Sequence, residues 1–405
     1  MRDIEQFRRL AIRIVAIGIV SATNFAVQAQ TYAIYPPGSG LTPEAGVTIK
    51  GDLVYGTATA GGDGAGEVFE AKHLGNIYSF PGGNGSGEPE ARVVFGPDSH
   101  LYGTASKGGS ASAGFVFNLI PQLTICKVAD CQPWRASALH IFTGFPADGA
   151  QPGYGDLTWD KQGNIYGTTI LGGSVDVGIV YELMPPIPPS KTWTENVIWN
   201  FTGPDGKYPQ NAVIFDGNGN LLGTTMQGGQ HGFGTIFKLT PSQNGWVETN
   251  IYDFQGGNDG KSPIAGLTLD SAGNLYGATS DGGSGGAGTA FELAPSGDTY
   301  TFKLLYSFSG QQGRNCGPWA SLTIDAAGSL YGTTYCGSPG SGSIFRLSNT
   351  QNGWAYTSLH DFGSVRGDGF LPISNVTFDA SGSLWGTASQ GGGGENAGIV
   401  WKITP

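Results

Sequence analysis

Glu44, Glu90, Arg92, Tyr154, Asp156, Tyr208 and Trp319 are the residues whose types and spacing could do chemistry in this sequence. Each lies within a few positions of a proline that recurs along the chain, at Pro43, Pro89, Pro152, Pro209 and Pro318. Carboxylates, an arginine and aromatic rings around a shallow opening suit a sugar. The rings stack on its apolar faces and the polar groups take its hydroxyls. Two carboxylates could instead act as acid and base in glycan cleavage, at a separation of about 5 or about 6.5–9.5 Å. The same residue types also populate ordinary solvated loops. What decides is whether the fold gathers them.

The elements that must position them form a repeat. The stretch NIYGTTILGGSVDVGIVYEL, residues 164–183, holds an apolar run with an aromatic, then Gly-Thr, a glycine pair and a second run ending in an aromatic. Near copies are centred on Tyr55, Tyr102, Tyr166, Leu222, Tyr276, Tyr331 and Trp385, spaced 47, 64, 56, 54, 55 and 54 residues apart. Such a period marks a solenoid, propeller or array. Each copy divides into four strand-sized pieces: in the fifth, A is 266–270, B is 274–280, C is 288–293 and D is 300–308. The A–B turn recurs as Asp-x-x-Gly-Asn or Asp-x-x-Gly-Ser from Asp160, Asp216, Asp270, Asp325 and Asp379, where Asp caps the turn and Gly takes positive φ.

Strand C places an aromatic beside a polar residue in all seven copies, from Phe69-Glu70 to Trp401-Lys402. That is period-2 behaviour, and the aromatics are expected in the core between neighbouring sheets. The last copy ends in strand C, while residues 31–35 are a strand without a copy of their own. The expected fold is therefore all-β: a seven-bladed β-propeller of four-stranded blades over residues 30–405, closed by the N-terminal strand completing the last blade. Closure removes the open edges that a linear array would expose.

Residues 1–29 read as a signal peptide. Arg8, Arg9 and Arg13 precede the apolar run Ile14–Val20, and Val27-Gln28-Ala29 is a small-residue cleavage site. Without those residues 16 Lys and Arg face 29 Asp and Glu, a net charge of −13. So acidic a chain is repelled by phosphate backbones and anionic headgroups, which excludes nucleic acid and, after cleavage, the membrane as partners. The expected location is extracellular, cell-surface or periplasmic, and the expected state a monomer. Four cysteines in an exported chain are expected to pair. Cys126 and Cys131 enclose four residues and should clip a hairpin, leaving Cys316 and Cys336 to pair by elimination. Zinc on these cysteines would need a CxxC spacing or a nearby His, and neither is present.

The motif L-Y-G-T-T-x-x-G-G-x-x-x-x-G-x-x-F-x-L, with F-x-G and a proline upstream, resembles the GloVer (Gloeo/Verruco) tandem-repeat family of exported bacterial proteins. The resemblance covers essentially all of residues 31–405. It implies an extracytoplasmic location and carries over no catalytic residue.

Function on a repeat scaffold is best sought where the copies differ. After the D-to-A proline, copies one to three offer Glu44, Glu90, Arg92, Tyr154 and Asp156, and copy four Tyr208 and Gln210. Copies five to seven are small or apolar there except for Trp319. The reading is a binding module for glycan or protein on the face shared by the D-to-A and B–C loops. The alternatives are a glycan lyase or hydrolase using channel-mouth carboxylates and a structural surface protein. No cofactor and no catalytic residue are assigned. Calcium could use DGNGN at 216–220, although the bidentate Glu of an EF-hand does not follow. His140 and His360 share one D-strand position and read as structural.

Overall fold

The computed structural model describes residues 30–82, 87–122, 134–297, 299–310, 316–336, 341–393 and 396–405. The signal-peptide residues, Cys126 and Cys131 lie outside the described residues. Seven four-stranded antiparallel sheets form the seven-bladed propeller. The first blade runs outward through Thr48–Lys50, Leu53–Ala58, Glu67–Glu70 and Gly75–Ser79. The seventh takes Thr377–Phe378, Leu384–Ala388 and Ile399–Thr404 from the C-terminal end and Thr31–Tyr35 from the N-terminal end. Thr31 stands opposite Thr404 and Tyr35 opposite Val400, so the ring closes as expected.

The recurring motif has a packing cause. The glycine of each B strand, such as Gly56, Gly223 or Gly386, faces the strand-C aromatic of its own blade. A Cβ on any of the seven would come within 2.8 Å of that side chain, so only Gly lets the ring lie across the sheet. The ring then meets the Phe that closes the previous blade: Phe142 on Tyr181, Phe201 on Phe237 and Phe308 on Phe345, each with centroids 5.1 Å apart. All seven strand-C aromatics are at most 1% exposed. Each contributes about 2 kcal/mol by burial.

The recurring proline has a second cause. Thr42, Glu88, Gln151, Tyr208, Ser262 and Leu371, each directly before a proline, have φ between +50° and +58°. A non-glycine residue is uncommon there, and a following proline disfavours helical backbone further. Hydrogen bonds offset the strain: Glu88 N–H donates to Ala65 O at 2.9 Å in the preceding blade and its carbonyl accepts from Ser106 N–H at 3.1 Å. The pre-proline residue thus stitches one blade to the next.

The innermost strands are shorter than the sequence suggests. The expected 266–270 is Thr268–Leu269, and most others are also two residues long. They pair on one edge only, and their inner edge faces the channel. Threonine hydroxyls hold them instead: Thr158 donates to Val213 O at 2.6 Å and Thr377 to Val47 O at 2.9 Å, the latter across the closure. No helix among the described residues is long and apolar enough to cross a membrane.

Candidate functional site at the channel mouth

The D-to-A segments surround a cavity of about 530 Å³ lined by all seven blades. Glu44, Glu90, Arg92, Tyr154, Asp156 and Trp319 line it, and Tyr208 does not. Tyr208 is one of the left-handed pre-proline residues, with its N–H on Val177 O at 2.8 Å and its carbonyl accepting from Met226 N–H at 3.2 Å. Its place in the repeat is explained by its backbone. The neighbouring Gln210 lines the cavity instead.

Arg92 and Asp156 meet each other. Arg92 Nε donates to Asp156 Oδ2 at 3.1 Å, and a terminal guanidinium nitrogen donates to the same oxygen. The other terminal nitrogen reaches Val47 O at 3.4 Å and Thr377 Oγ1 at 3.3 Å. From the second blade, Arg92 therefore ties the third to the first and the seventh. Its charge is largely neutralised within the wall, leaving the mouth acidic in character.

Glu44, Glu90 and Tyr154 make up the rest of that charged half. Burial pushes the Glu90 carboxyl up to about 7, helped by the charge of Glu44; a hydrogen bond with Ser106 pulls the other way. Glu44 is raised as well, by burial first and then by Glu88. The Tyr154 phenol is raised by burial and by both glutamates. Lys107, whose charge pulls Glu90 back down, is held by Glu88 at 2.7 Å. Two glutamates in one partly desolvated space resist carrying two charges at once.

Across the mouth, the Trp319 and Tyr335 rings stack with centroids 4.7 Å apart and planes 18° from parallel. They come from the D-to-A and B–C loops of the sixth copy, which the Cys316–Cys336 disulfide joins with a Cα separation of 4.7 Å. This is the pairing reached by elimination. It anchors an aromatic wall opposite the carboxylates.

Sequence reasoning missed Asn211, Ser321 and Asn375, which also line the cavity. Asn211 Nδ2 donates to Ile264 O at 3.3 Å and Ser321 Oγ to Asn211 Oδ1 at 3.5 Å. A Cβ on Gly46 would collide with Asn375 Oδ1, so that amide lies hard against the first blade. Their signal was positional: each follows its proline by two or three residues, as Arg92 and Tyr154 do.

On the opposite face the turn aspartates are saturated. Asp216 Oδ1 accepts from Asn218 N–H at 2.8 Å and Asn220 N–H at 2.9 Å, and Oδ2 from Asn220 Nδ2 at 2.7 Å.

The family model described as Gloeobacter/Verrucomicrobia repeat matches residues 19–214, 124–317 and 213–405 of this chain. No curated protein matches it in sequence. Among solved structures it is similar to a puromycin-hydrolysing peptidase of Mycobacterium tuberculosis, at 12% identity and a TM-score of 0.53. That match covers 91% of this chain and 55% of the peptidase. An ulvan lyase of a polysaccharide lyase family matches at 12% identity and a TM-score of 0.49, over 91% of this chain and 94% of the lyase. A luciferin-regenerating enzyme matches at 12% identity and a TM-score of 0.44, over 93% and 96%. At such identities the likeness is one of fold.

Proposed function

This chain belongs to the Gloeobacter/Verrucomicrobia repeat family, and we propose that it is an exported propeller that binds glycan at the loop-face mouth of its channel. One observation carries the reading. A single cavity of about 530 Å³ sets Glu44, Glu90 and Tyr154 on one side and the disulfide-anchored Trp319–Tyr335 stack near its other side. Rings offer apolar sugar faces a surface, and carboxyls that exchange between donor and acceptor forms suit hydroxyls. With Arg92 engaged by Asp156, the mouth favours neutral or amino sugars over sulfated or uronic ones. Export is supported by the leader-like N-terminus and by the bonded Cys316–Cys336 pair.

A second reading, acid–base cleavage of a glycan, is favoured by one feature. A carboxyl pushed up to about 7 is protonated often enough at neutral pH to serve as general acid. A glycan array carrying neutral, amino, uronic and sulfated sugars, followed by product analysis of each hit, separates the two. Retention of neutral or amino glycans without products supports binding. Shortened products abolished by Glu90→Gln support catalysis. Retention confined to sulfated or uronic glycans, or none at all, rejects the glycan reading.

A further inference from the structure

The outer rims of neighbouring blades meet at one repeated position. Fourth to fifth, Tyr252 stacks on Phe302; fifth to sixth, Tyr306 on Tyr356; sixth to seventh, His360 on Tyr32. The second ring of each pair stands opposite the same strand-C position, at Leu293, Leu347 and Ile403. Between the second and third blades that position, opposite Leu183, is Glu195, and the residue facing it is His140. No ring stack closes this junction.

The sixth–seventh junction serves as an internal control, because it has the same His and Asp. His360 Nε2 is 2.9 Å from Asp368 Oδ2, and Tyr32 donates its hydroxyl to Oδ1 at 2.6 Å. Donors and acceptors balance. At the second–third junction His140 Nε2 is 3.3 Å from Asp148 Oδ2, beyond the usual reach of a charge-assisted bond at about 2.7–2.9 Å. A second carboxylate replaces the neutral phenol, with Glu195 Oε2 4.0 Å from the same nitrogen. Glu195 Oε1 is buried and has no hydrogen-bond partner. The next side chain along this face, Tyr181, has a fully buried hydroxyl that also lacks one.

We propose that His140, Asp148 and Glu195 bind a divalent transition-metal ion of the zinc class, which staples the second blade to the third. One ligand atom from each residue lies within 4.8 Å of the others. Donors on an ion with bonds of about 2.0–2.2 Å stand roughly 3–3.5 Å apart, so the widest separation must close by roughly 1.3–1.8 Å to complete the set. One imidazole with two carboxylates is a nitrogen–oxygen set that suits zinc, whereas calcium takes oxygen alone. The side chains are 19%, 10% and 15% exposed, which leaves an entry path and room for a water as fourth ligand. The ion does electrostatically what ring stacking does at the three junctions from the fourth blade to the seventh. No spacing in the chain signals it, since Glu195 stands 55 residues from His140.

The test uses the whole secreted chain, stripped with chelator and titrated with zinc chloride alone. Calorimetry should find one tight equivalent, and the melting temperature should rise with zinc concentration. Glu195→Gln should weaken that equivalent by at least about tenfold, given that even outer-shell losses cost 10–100-fold. Glu248→Gln, at the same position one blade on, should bind as the parent does. Glu195→Tyr copies the sixth–seventh junction: it should melt no lower than the stripped parent and ignore zinc. Absence of stoichiometric zinc binding, or undiminished affinity in Glu195→Gln, overturns the proposal.

Discussion

The carboxylates of the A–B turns and those of the channel mouth are the same chemical group on opposite faces, displaced in opposite directions. Asp379 accepts from the Ser381 and Ser383 N–H groups and from Trp385 Nε1, at 2.9 Å each, and is held well below the usual carboxylate range. At Glu90, burial and then two neighbouring glutamates outweigh the opposing pull of Ser106 and Lys107, and the carboxyl is pushed up to about 7. The turn aspartates recur in copy after copy because the turn needs them. The mouth glutamates occur only in the first two copies, where no element of the repeat needs them. Acidic residues that a fold uses are satisfied by it, and those left unsatisfied are available to a ligand.

The comparison is broken most directly at the turn. Asp379→Ala leaves the buried Trp385 Nε1 and two backbone N–H groups without an acceptor. It should cost about 3 kcal/mol of stability, read as a lowered denaturation midpoint, and leave glycan retention unchanged. Lost retention in a folded variant would join the two faces.

Stability against pH sharpens the contrast. Glu90 is raised on folding, so its contribution is complete below about pH 4.5 and disappears as pH rises through about 7. Asp379 is lowered, so its contribution is present above about pH 4 and disappears on acidification. Glu90→Gln should therefore raise stability at pH 8 relative to the parent, by up to about 3 kcal/mol, and flatten the slope between pH 4.5 and 7. Burial also raises Glu248, to about 7, and raises Glu195, so part of the slope remains. Denaturant titrations at pH 5 and pH 8 measure it, and an unchanged slope would count against a buried Glu90.

Arg92→Ala should cost about 2 kcal/mol by stranding Asp156 in the wall, and Arg92→Ala with Asp156→Ala should recover part of that loss. Additive losses would mean that the pair is not coupled. The smallest effect is expected at Tyr208. Tyr208→Gly relieves a φ of +58° while freeing the unfolded chain, so stability should move by less than about 1 kcal/mol and glycan retention not at all. A clear loss of retention would return Tyr208 to the site.

The fold was almost wholly legible in the sequence because its cause is local and repeated seven times. Gly223 must face Phe237, and Asp216 must cap the turn that joins their blade's inner strands. Such rules act within one copy, so periodicity shows them directly. Even the closure could be read, as a strand lacking a copy and a copy lacking a strand. The inner strands were misjudged in length because their pairing is limited by the channel, which exists only in the ring.

The site was half legible. Position after the proline marked six of the seven residues as channel-facing, and chemistry drew attention to those with charge or rings. The same positional rule also held for Asn211, Ser321 and Asn375, whose weaker chemistry hid them. That Arg92 would be taken by Asp156, 64 residues away, rather than turned to a ligand depends on the angle between two blades. So does the meeting of His140 with Glu195. Sequence alone determined the repeat, its strands and their closure, because contacts within a blade follow from side-chain alternation and turn chemistry. Only the tertiary structure decided which charges are neutralised and which remain, because that depends on distances between blades that no single repeat contains.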